Sequence, residues 1–281
     1  MRNPRSTMEA WGLRPNKALG QNFLTSPEIV SRILSAAAAH PDEAVLEIGP
    51  GLGALTLALA AQTDRLIAVE KDPQMLKLLR TELIAAGRHE VTLIEGNILD
   101  IDISALAPPG SRMVVLGNLP YNISSQVLVR LVDHRDRIDR AVLMLQEEMA
   151  KRIIAPPGGR DYGRLTVLLA YCADVRRLFT VTADRFYPRP KVDSAVVEVR
   201  FRTPETPVRD EALFVKVVQA AFGQRRKTLK NALSGSALPL DAPGAETVLK
   251  SAGIDPTRRA ETLSVAEFVA LSDRIQDGCR S

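Results

Sequence analysis

Over roughly the first two hundred residues, short apolar runs alternate with longer stretches in which apolar residues recur at helical spacing. The runs at 44–48, 65–69, 91–94, 113–116 and 141–145 are four or five residues wide and apolar on both faces, the signature of buried strands. Between them, residues 27–39, 54–60, 73–86 and 124–133 have helical periodicity, and two of these stretches open with Pro27 and Pro73 at the first helical position. Strand and helix alternation of this kind predicts an α/β fold, a mostly parallel sheet with helices on both faces. Residues 146–153 read as a mixed-charge helix. Pro156-Pro157-Gly158-Gly159 reads as a mobile loop and a candidate lid, and Tyr162-Gly163-Arg164-Leu165 restarts an apolar helix. A strand follows at 175–181, and Ser194 to Val199 closes the sheet as its last strand. Thr203-Pro204-Glu205-Thr206-Pro207 reads as a linker, beyond which the pattern is purely helical, at 213–222, 245–252 and 265–275. The expected division is therefore a domain over residues 1–203 and a small all-α domain over 204–281.

Ligands of open α/β sheets sit just beyond the carboxyl ends of the strands, so the loops there hold the candidate chemistry. Strand 44–48 runs into Gly49-Pro50-Gly51-Leu52-Gly53, where missing Cβ atoms let backbone approach a ligand. The spacing is not the G-x-G-x-x-G of dinucleotide enzymes; with Glu47 before it, the loop looks like the adenosylmethionine-binding loop of class I methyltransferases. Glu70 ends the next strand, where an acid accepts hydrogen bonds from ribose hydroxyls of adenosylmethionine or NAD alike. Asn97 follows the third strand. The fourth ends in Gly117-Asn118-Leu119-Pro120-Tyr121: an amide carbonyl that accepts from an amino group, a fixed φ, and a flat π face, parts suited to a planar aromatic amine such as adenine. Phe186 and Tyr187, followed by Pro188 and Pro190, are expected on a loop, where an aromatic ring can stack on a base.

Composition narrows the partners. A hydrophobic fraction of 46% fits a globular protein with a real core rather than a disordered one. Cys172 and Cys279 lie far apart, and with His40, His89 and His134 they form no metal-ligand spacing, so a reduced, metal-free protein of the cytoplasm is expected. No apolar stretch is long enough to span a bilayer or has the form of a signal peptide. Residues 42–100 hold five Lys/Arg against ten Asp/Glu, whereas 176–230 hold thirteen against six, so the basic segment is a candidate for contacting nucleic acid. Within it, Arg189, Lys191 and the turn Arg225-Arg226-Lys227 are the candidate phosphate contacts. At the other end, Lys17-Ala18-Leu19-Gly20-Gln21-Asn22-Phe23-Leu24 is a polar arm whose two apolar residues are expected to pack over the next element.

Over nearly its whole length the chain resembles the bacterial small-subunit ribosomal RNA adenine dimethyltransferases of the kasugamycin-resistance type. The resemblance is carried by residues 19–24, 47–53, 118–121, 162–165, 186–194 and 222–229. It implies a class I methyltransferase fold and S-adenosylmethionine held by Asn22, Leu24, Gly49, Gly51, Glu70, the position of Asn97, and Asn118. It also implies a target adenine stacked on Tyr121 and Phe186, with catalysis at Asn118, Leu119, Pro120, Tyr121 and Phe186. The partner implied is small-subunit ribosomal RNA or an assembling small subunit, met by a monomer. One departure stands out: the family usually carries Asp where this chain has Asn97.

The amino nitrogen of adenine has its lone pair delocalised into the ring. A site that methylates it must free that pair, with the Asn118 side-chain carbonyl and the Leu119 main-chain carbonyl accepting the two hydrogens while the nitrogen attacks in line. A target that must leave its stack favours a hairpin loop over a duplex. Three rivals share some of these features. A methyltransferase of large-subunit RNA shares the core, but residues 224–229 resemble the small-subunit type. A dehydrogenase leaves 118–121 unexplained, and a non-catalytic assembly factor leaves Asn118, Tyr121 and Phe186 without a use.

Overall fold

The computed structural model describes residues 3–278. In chain order its elements are α1 (Pro4–Ala10), β1 (Phe23–Leu24), α2 (Pro27–Ala37), β2 (Ala44–Ile48), α3 (Thr56–Leu59), β3 (Leu66–Glu70), α4 (Pro73–Ala85), β4 (Thr92–Glu95), β5 (Met113–Asn118), α5 (Ser124–Asp133), β6 (Ile138–Gln146), α6 (Glu147–Ile153), α7 (Arg164–Cys172), β7 (Ala173–Val181), β8 (Phe186–Tyr187), β9 (Ser194–Phe201), α8 (Glu211–Gly223), α9 (Leu229–Ser234), α10 (Ala242–Ser251) and α11 (Val265–Gly278).

The chain forms two compact units, one from the residues up to 150 together with 174–201, the other from 151–173 together with those from 202 onward. The sequence division at 203/204 left α7 with the first unit, whereas α7 packs with α8 and α11 in the second. Only the proline-rich linker announces a crossing. The others fall inside α6 and at the junction of α7 with β7, where composition does not change.

In the first unit a seven-stranded sheet runs in the order β4-β3-β2-β5-β6-β9-β7. Strands β4 to β6 are parallel, and β9, antiparallel to β6, lies between β6 and β7. The chain winds outward from β2 to β3 and β4, then returns to lay β5 on the other side of β2. The order therefore reverses between β2 and β5, the switch point at which open α/β sheets bind ligands. Ile48 pairs with Gly117 at that edge, so Gly49 and Asn118 leave the sheet side by side.

Strand β2 is buried along its whole length, which is why it reads as a continuous apolar run. Val45, Leu66, Val114, Leu116 and Val142 pack with Ile33 of α2 and with Leu24 and Phe186 into one core. Helix α2 starts at Ser26, whose side chain accepts from the Ile29 N–H at 3.4 Å, and ends against Arg140. The Arg140 guanidinium donates to the carbonyls of Ala37 at 2.8 Å and Ala38 at 2.9 Å and to Glu43 at 2.8 Å. It thereby satisfies the helix C-terminus and fixes the entry into β2.

Two N-terminal features carry no signal in the hydrophobic pattern: α1, held by buried Met8, and a two-stranded sheet pairing Phe23 with Tyr187 and Leu24 with Phe186. The pairing with β1 places Phe186 in a strand and in the core at 4% exposure, not on the exposed loop expected of it. The prolines follow the pair rather than interrupt it, so the ladder survives.

The second unit is all helical apart from its loops. Phe222 lies between Tyr162 (centroids 6.1 Å apart) and Phe268 (5.8 Å), and Tyr171 meets Phe214 at 4.6 Å. The loop at 156–159, expected to be mobile, is tied down within this unit by the Gly158 N–H, which donates to the Glu261 carbonyl at 2.6 Å.

Candidate active site

The walls of one cavity at the switch point bring together Asn22, Leu24, Gly49, Gly51, Glu70, Asn97, Asn118, Leu119, Pro120 and Tyr121. Phe186, Arg189, Lys191 and Arg225 to Lys227 are not among its lining residues. Gly49 and Gly51 have φ of +68° and +54°, backbone that L side chains rarely adopt, and a Cβ on Gly49 would project into open space. The loop thus offers bare backbone to the cavity.

Glu70 supports that loop. Its two oxygens accept from the Gly51 N–H at 2.9 Å and the Asp72 N–H at 2.8 Å, and burial raises its pKa against the pull of those N–H groups. Asp72 caps α4, accepting from the Gln74 N–H at 3.0 Å, and takes a second bond from the Gln21 amide at 2.7 Å. The arm is thereby tied to the carboxyl edge of the sheet by a link between residues 51 positions apart.

Glu47 is the most perturbed group in the site. Its carboxyl is fully buried, Oε2 has no hydrogen-bond partner at acceptable geometry, and the Thr56 hydroxyl has none either. Burial pushes the Glu47 pKa up to about 8; the dipole of Thr56 draws it back a little and Glu70 pushes it further. A carboxyl with one orphaned oxygen beside the cavity suits a positively charged ligand, and adenosylmethionine carries a sulfonium and an ammonium group. Bare glycine backbone, the Glu70 carboxylate and this carboxyl fit that cofactor.

On the β5 side, the Asn118 amide donates from Nδ2 to the main-chain carbonyl of Asn22 at 2.8 Å, while Asn22 turns its own amide onto the Gly20 carbonyl at 3.1 Å. With its nitrogen end engaged, the Asn118 carboxamide is oriented and its oxygen is left to accept from a ligand. Leu119 is anchored by its N–H to the Met144 carbonyl at 3.1 Å and by a side chain only 1% exposed. The Tyr121 hydroxyl shares a hydrogen bond of 3.1 Å with Ser194 Oγ, and burial raises its pKa, so the phenol stays neutral and its ring is held in place. Asn97 accepts from the Leu99 N–H at 3.3 Å and donates to Asp100 at 2.9 Å, a turn that holds its amide at the cavity wall.

Much of the basic segment is spent inside the molecule. Arg176 and Arg200 pair with Glu198, Arg177 with Glu147, Arg209 with Asp277 and Lys230 with Glu246. Arg225 donates to the carbonyls of Arg160 at 2.7 Å and Tyr162 at 3.1 Å, an anchoring role within the helical unit. Among the described residues, Arg189, Lys191, Arg226 and Lys227 form no such pair and remain available to a polyanion. No group of three or more His, Cys, Asp or Glu among the described residues could hold a metal ion. Cys172 is buried, and Cys279 lies outside the described residues. No described helix is long and apolar enough to cross a membrane.

The family model described as ribosomal RNA adenine dimethylase matches residues 12–277. Among curated proteins, the chain is 47% identical to ribosomal RNA small subunit methyltransferase A of Desulforapulum autotrophicum, over 98% of this chain and 97% of that one. It is 48% identical to the protein of the same name from Geobacter sulfurreducens, over 94% and 96%. Among solved structures, a dimethyladenosine transferase from Plasmodium falciparum superposes with a TM-score of 0.74 at 27% identity, covering 89% of this chain and 95% of that one. The 23S rRNA methyltransferase ErmE superposes with a TM-score of 0.65 at 26% identity, covering 90% and 99%.

Proposed function

The chain belongs to the ribosomal RNA adenine dimethylase family, and from that premise we propose which RNA it modifies and how its residues do so. The chain is an S-adenosylmethionine-dependent enzyme that converts adenines of ribosomal RNA to dimethyladenosines. Its target is a hairpin loop near the 3′ end of small-subunit RNA, modified during ribosome assembly in the cytoplasm by the protein as a monomer. The small-subunit reading is supported by relatives of that name at 47% and 48% identity, against 26% for the large-subunit enzyme.

The observation that carries the mechanism is the fixed carboxamide of Asn118. Bound adenosylmethionine supplies an electrophilic methyl group. Asn118 Oδ1 and the Leu119 carbonyl accept the two hydrogens of the target amine and aim its lone pair, while Tyr121 stacks on the base. Positioning and hydrogen-bond acceptance account for the rate; the nitrogen turns positive as it gains the methyl group and then gives up one proton to solvent, so no strong base is required. Phe186, paired with Leu24 of β1 and buried, supports the site from within the core and does not stack on the base. Asn22, Leu24, Gly49, Gly51 and Glu70 would hold the cofactor, and Asn97 Oδ1, which already accepts from the Leu99 N–H, would use its second lone pair to accept from the amino group of the cofactor's adenine. Incubating the protein with a small-subunit stem-loop and labelled cofactor, then mapping the product by mass, tests the reading; absence of dimethyladenosine would overturn it.

Two further results are expected. Asn97→Asp binds adenosylmethionine as well as the parent or somewhat better, whereas Asn97→Ala binds it about two- to tenfold less tightly, the worth of one neutral hydrogen bond. Calorimetric titration of the three proteins checks this; equal affinity in the Ala variant would reduce Asn97 to a turn former. In the basic turn, Arg226→Ala with Lys227→Ala lowers the salt slope of RNA binding by about one to two units and leaves the melting temperature unchanged. Arg225→Ala mainly destabilises the helical unit by freeing two carbonyls. Salt titrations and melting curves of the two variants separate the roles.

A further inference from the structure

A second cavity lies between the N-terminal arm and the segment after β8, and it shares Gly20, Gln21 and Asn22 with the active-site wall. Arg14, Lys17 and Arg189 line it, from two parts of the chain more than 170 residues apart. All three side chains are exposed, and among the described residues only Arg189 of the three has a carboxylate interacting with it electrostatically, that of exposed Asp184. The acid on this wall, Glu9, is already engaged with Arg5 at 3.0 Å, so it does not neutralise them. The floor differs in kind: Met8, Leu13 and half-buried Tyr187 form an apolar patch with Phe23 and Met75 beneath.

The wall shared with the active site is closely packed. A Cβ on Gly20 would lie 3.4 Å from the Cβ of Pro120 and 3.3 Å from Oδ1 of Asn122, and the Gln21 amide is fixed on Asp72 at 2.7 Å. Whatever occupies the second cavity is therefore held at a set distance from Asn118 and Tyr121. Three cations around an apolar floor repel one another, Asp184 offsets only part of their charge, and an anion set among them relieves the repulsion. A nucleotide has the matching halves, phosphate for the cations and a base face for the floor.

We propose that this cavity is a subsite for the nucleotide next to the target adenosine, with Arg14, Lys17 and Arg189 on its flanking phosphates and its base against Tyr187 and Leu13. This rests on the reading that the active site acts on RNA, and it adds the point at which the strand is gripped beside the displaced base. The grip acts on the strand, not on the reacting amine, so it lowers KM without entering kcat.

The test uses Arg14→Gln with Lys17→Gln, a full-length variant that keeps polar side chains and removes two charges. Binding of a small-subunit stem-loop is followed by fluorescence anisotropy across salt concentrations, alongside methyl-transfer kinetics, cofactor titration and melting. The expected result is RNA affinity down about tenfold, a salt slope shallower by about one to two units, a KM for RNA raised to match, and kcat within about twofold of the parent. Cofactor affinity and melting temperature stay unchanged. Unchanged RNA affinity and slope would overturn the subsite while leaving the methyltransferase reading intact. A matching loss of cofactor affinity or melting temperature would also overturn it, because the two cations would then only hold the arm. If the parent binds the stem-loop but transfers no methyl group, the methyltransferase reading fails instead, and anisotropy still decides the cavity.

Discussion

Asn118→Ala lowers single-turnover methyl transfer by about a hundred- to a thousandfold, the usual cost of losing one preorganised hydrogen-bonding group that meets the reacting centre. The alanine removes the acceptor for one amine hydrogen. It also deletes the donor that meets the Asn22 carbonyl at 2.8 Å, so the arm loses a fixed point beside the cofactor. RNA affinity stays near the parent's, because Asn118 makes no phosphate contact. Asn118→Asp separates the two contributions: it keeps an acceptor and loses the donor, and it sets a carboxylate against a carbonyl oxygen. Near-normal transfer by the alanine variant would sink the mechanism.

Glu47→Gln gives the second large effect, and its sign follows from the raised pKa. Unfolded, Glu47 titrates near the ordinary 4.5; folded and empty, it holds its proton up to about 8. Between these values the folded state binds more protons than the unfolded, so stability falls as pH rises, by up to about 1.4 kcal/mol per unit. Below the lower value both states are protonated and the effect is absent; above the upper one it is complete. The Gln variant lacks this loss. Without cofactor, its stability advantage over the parent widens from pH 5 to pH 8, and denaturant unfolding at several pH values measures it. Parallel profiles would mean that Glu47 is not the titrating group. At pH 7 the parent also releases protons on binding the cationic cofactor, as the carboxyl ionises beside it, and calorimetry in buffers of different ionisation enthalpy reads that release.

The middle of the sheet was legible because β2 and β5 are buried on both faces. Residues 44–48 and 113–116 can be little else, and Glu47, Glu70, Asn97 and Asn118 fall where polar residues interrupt the runs at the carboxyl ends. What stayed hidden depends on partners distant in sequence. Helix α1 has one buried apolar side chain besides its proline, Met8, whose burial comes from Phe23 and Met75, so no period announces it. Phe186 looked exposed because its partner Leu24 lies more than 160 residues away. Arg225 looked like its two neighbours because a run of cations does not reveal which one faces a carbonyl. Charge counting fails in the same way: Arg177, Arg209 and Lys230 pair with Glu147, Asp277 and Glu246, carboxylates outside 176–230 that sequence spacing does not pair with them.

The bond from Asn118 to Asn22 has a consequence for handling the protein. The orientation of the reactive amide is set by a segment some twenty residues from the N-terminus, so an affinity handle or surface tether fused there pulls on catalysis itself. Such a preparation keeps a native circular-dichroism spectrum while its turnover falls. A tether at the C-terminal end attaches to the helical unit and spares the amide. Preparations that differ only in the end carrying the fusion would then give different specific activities for one polypeptide.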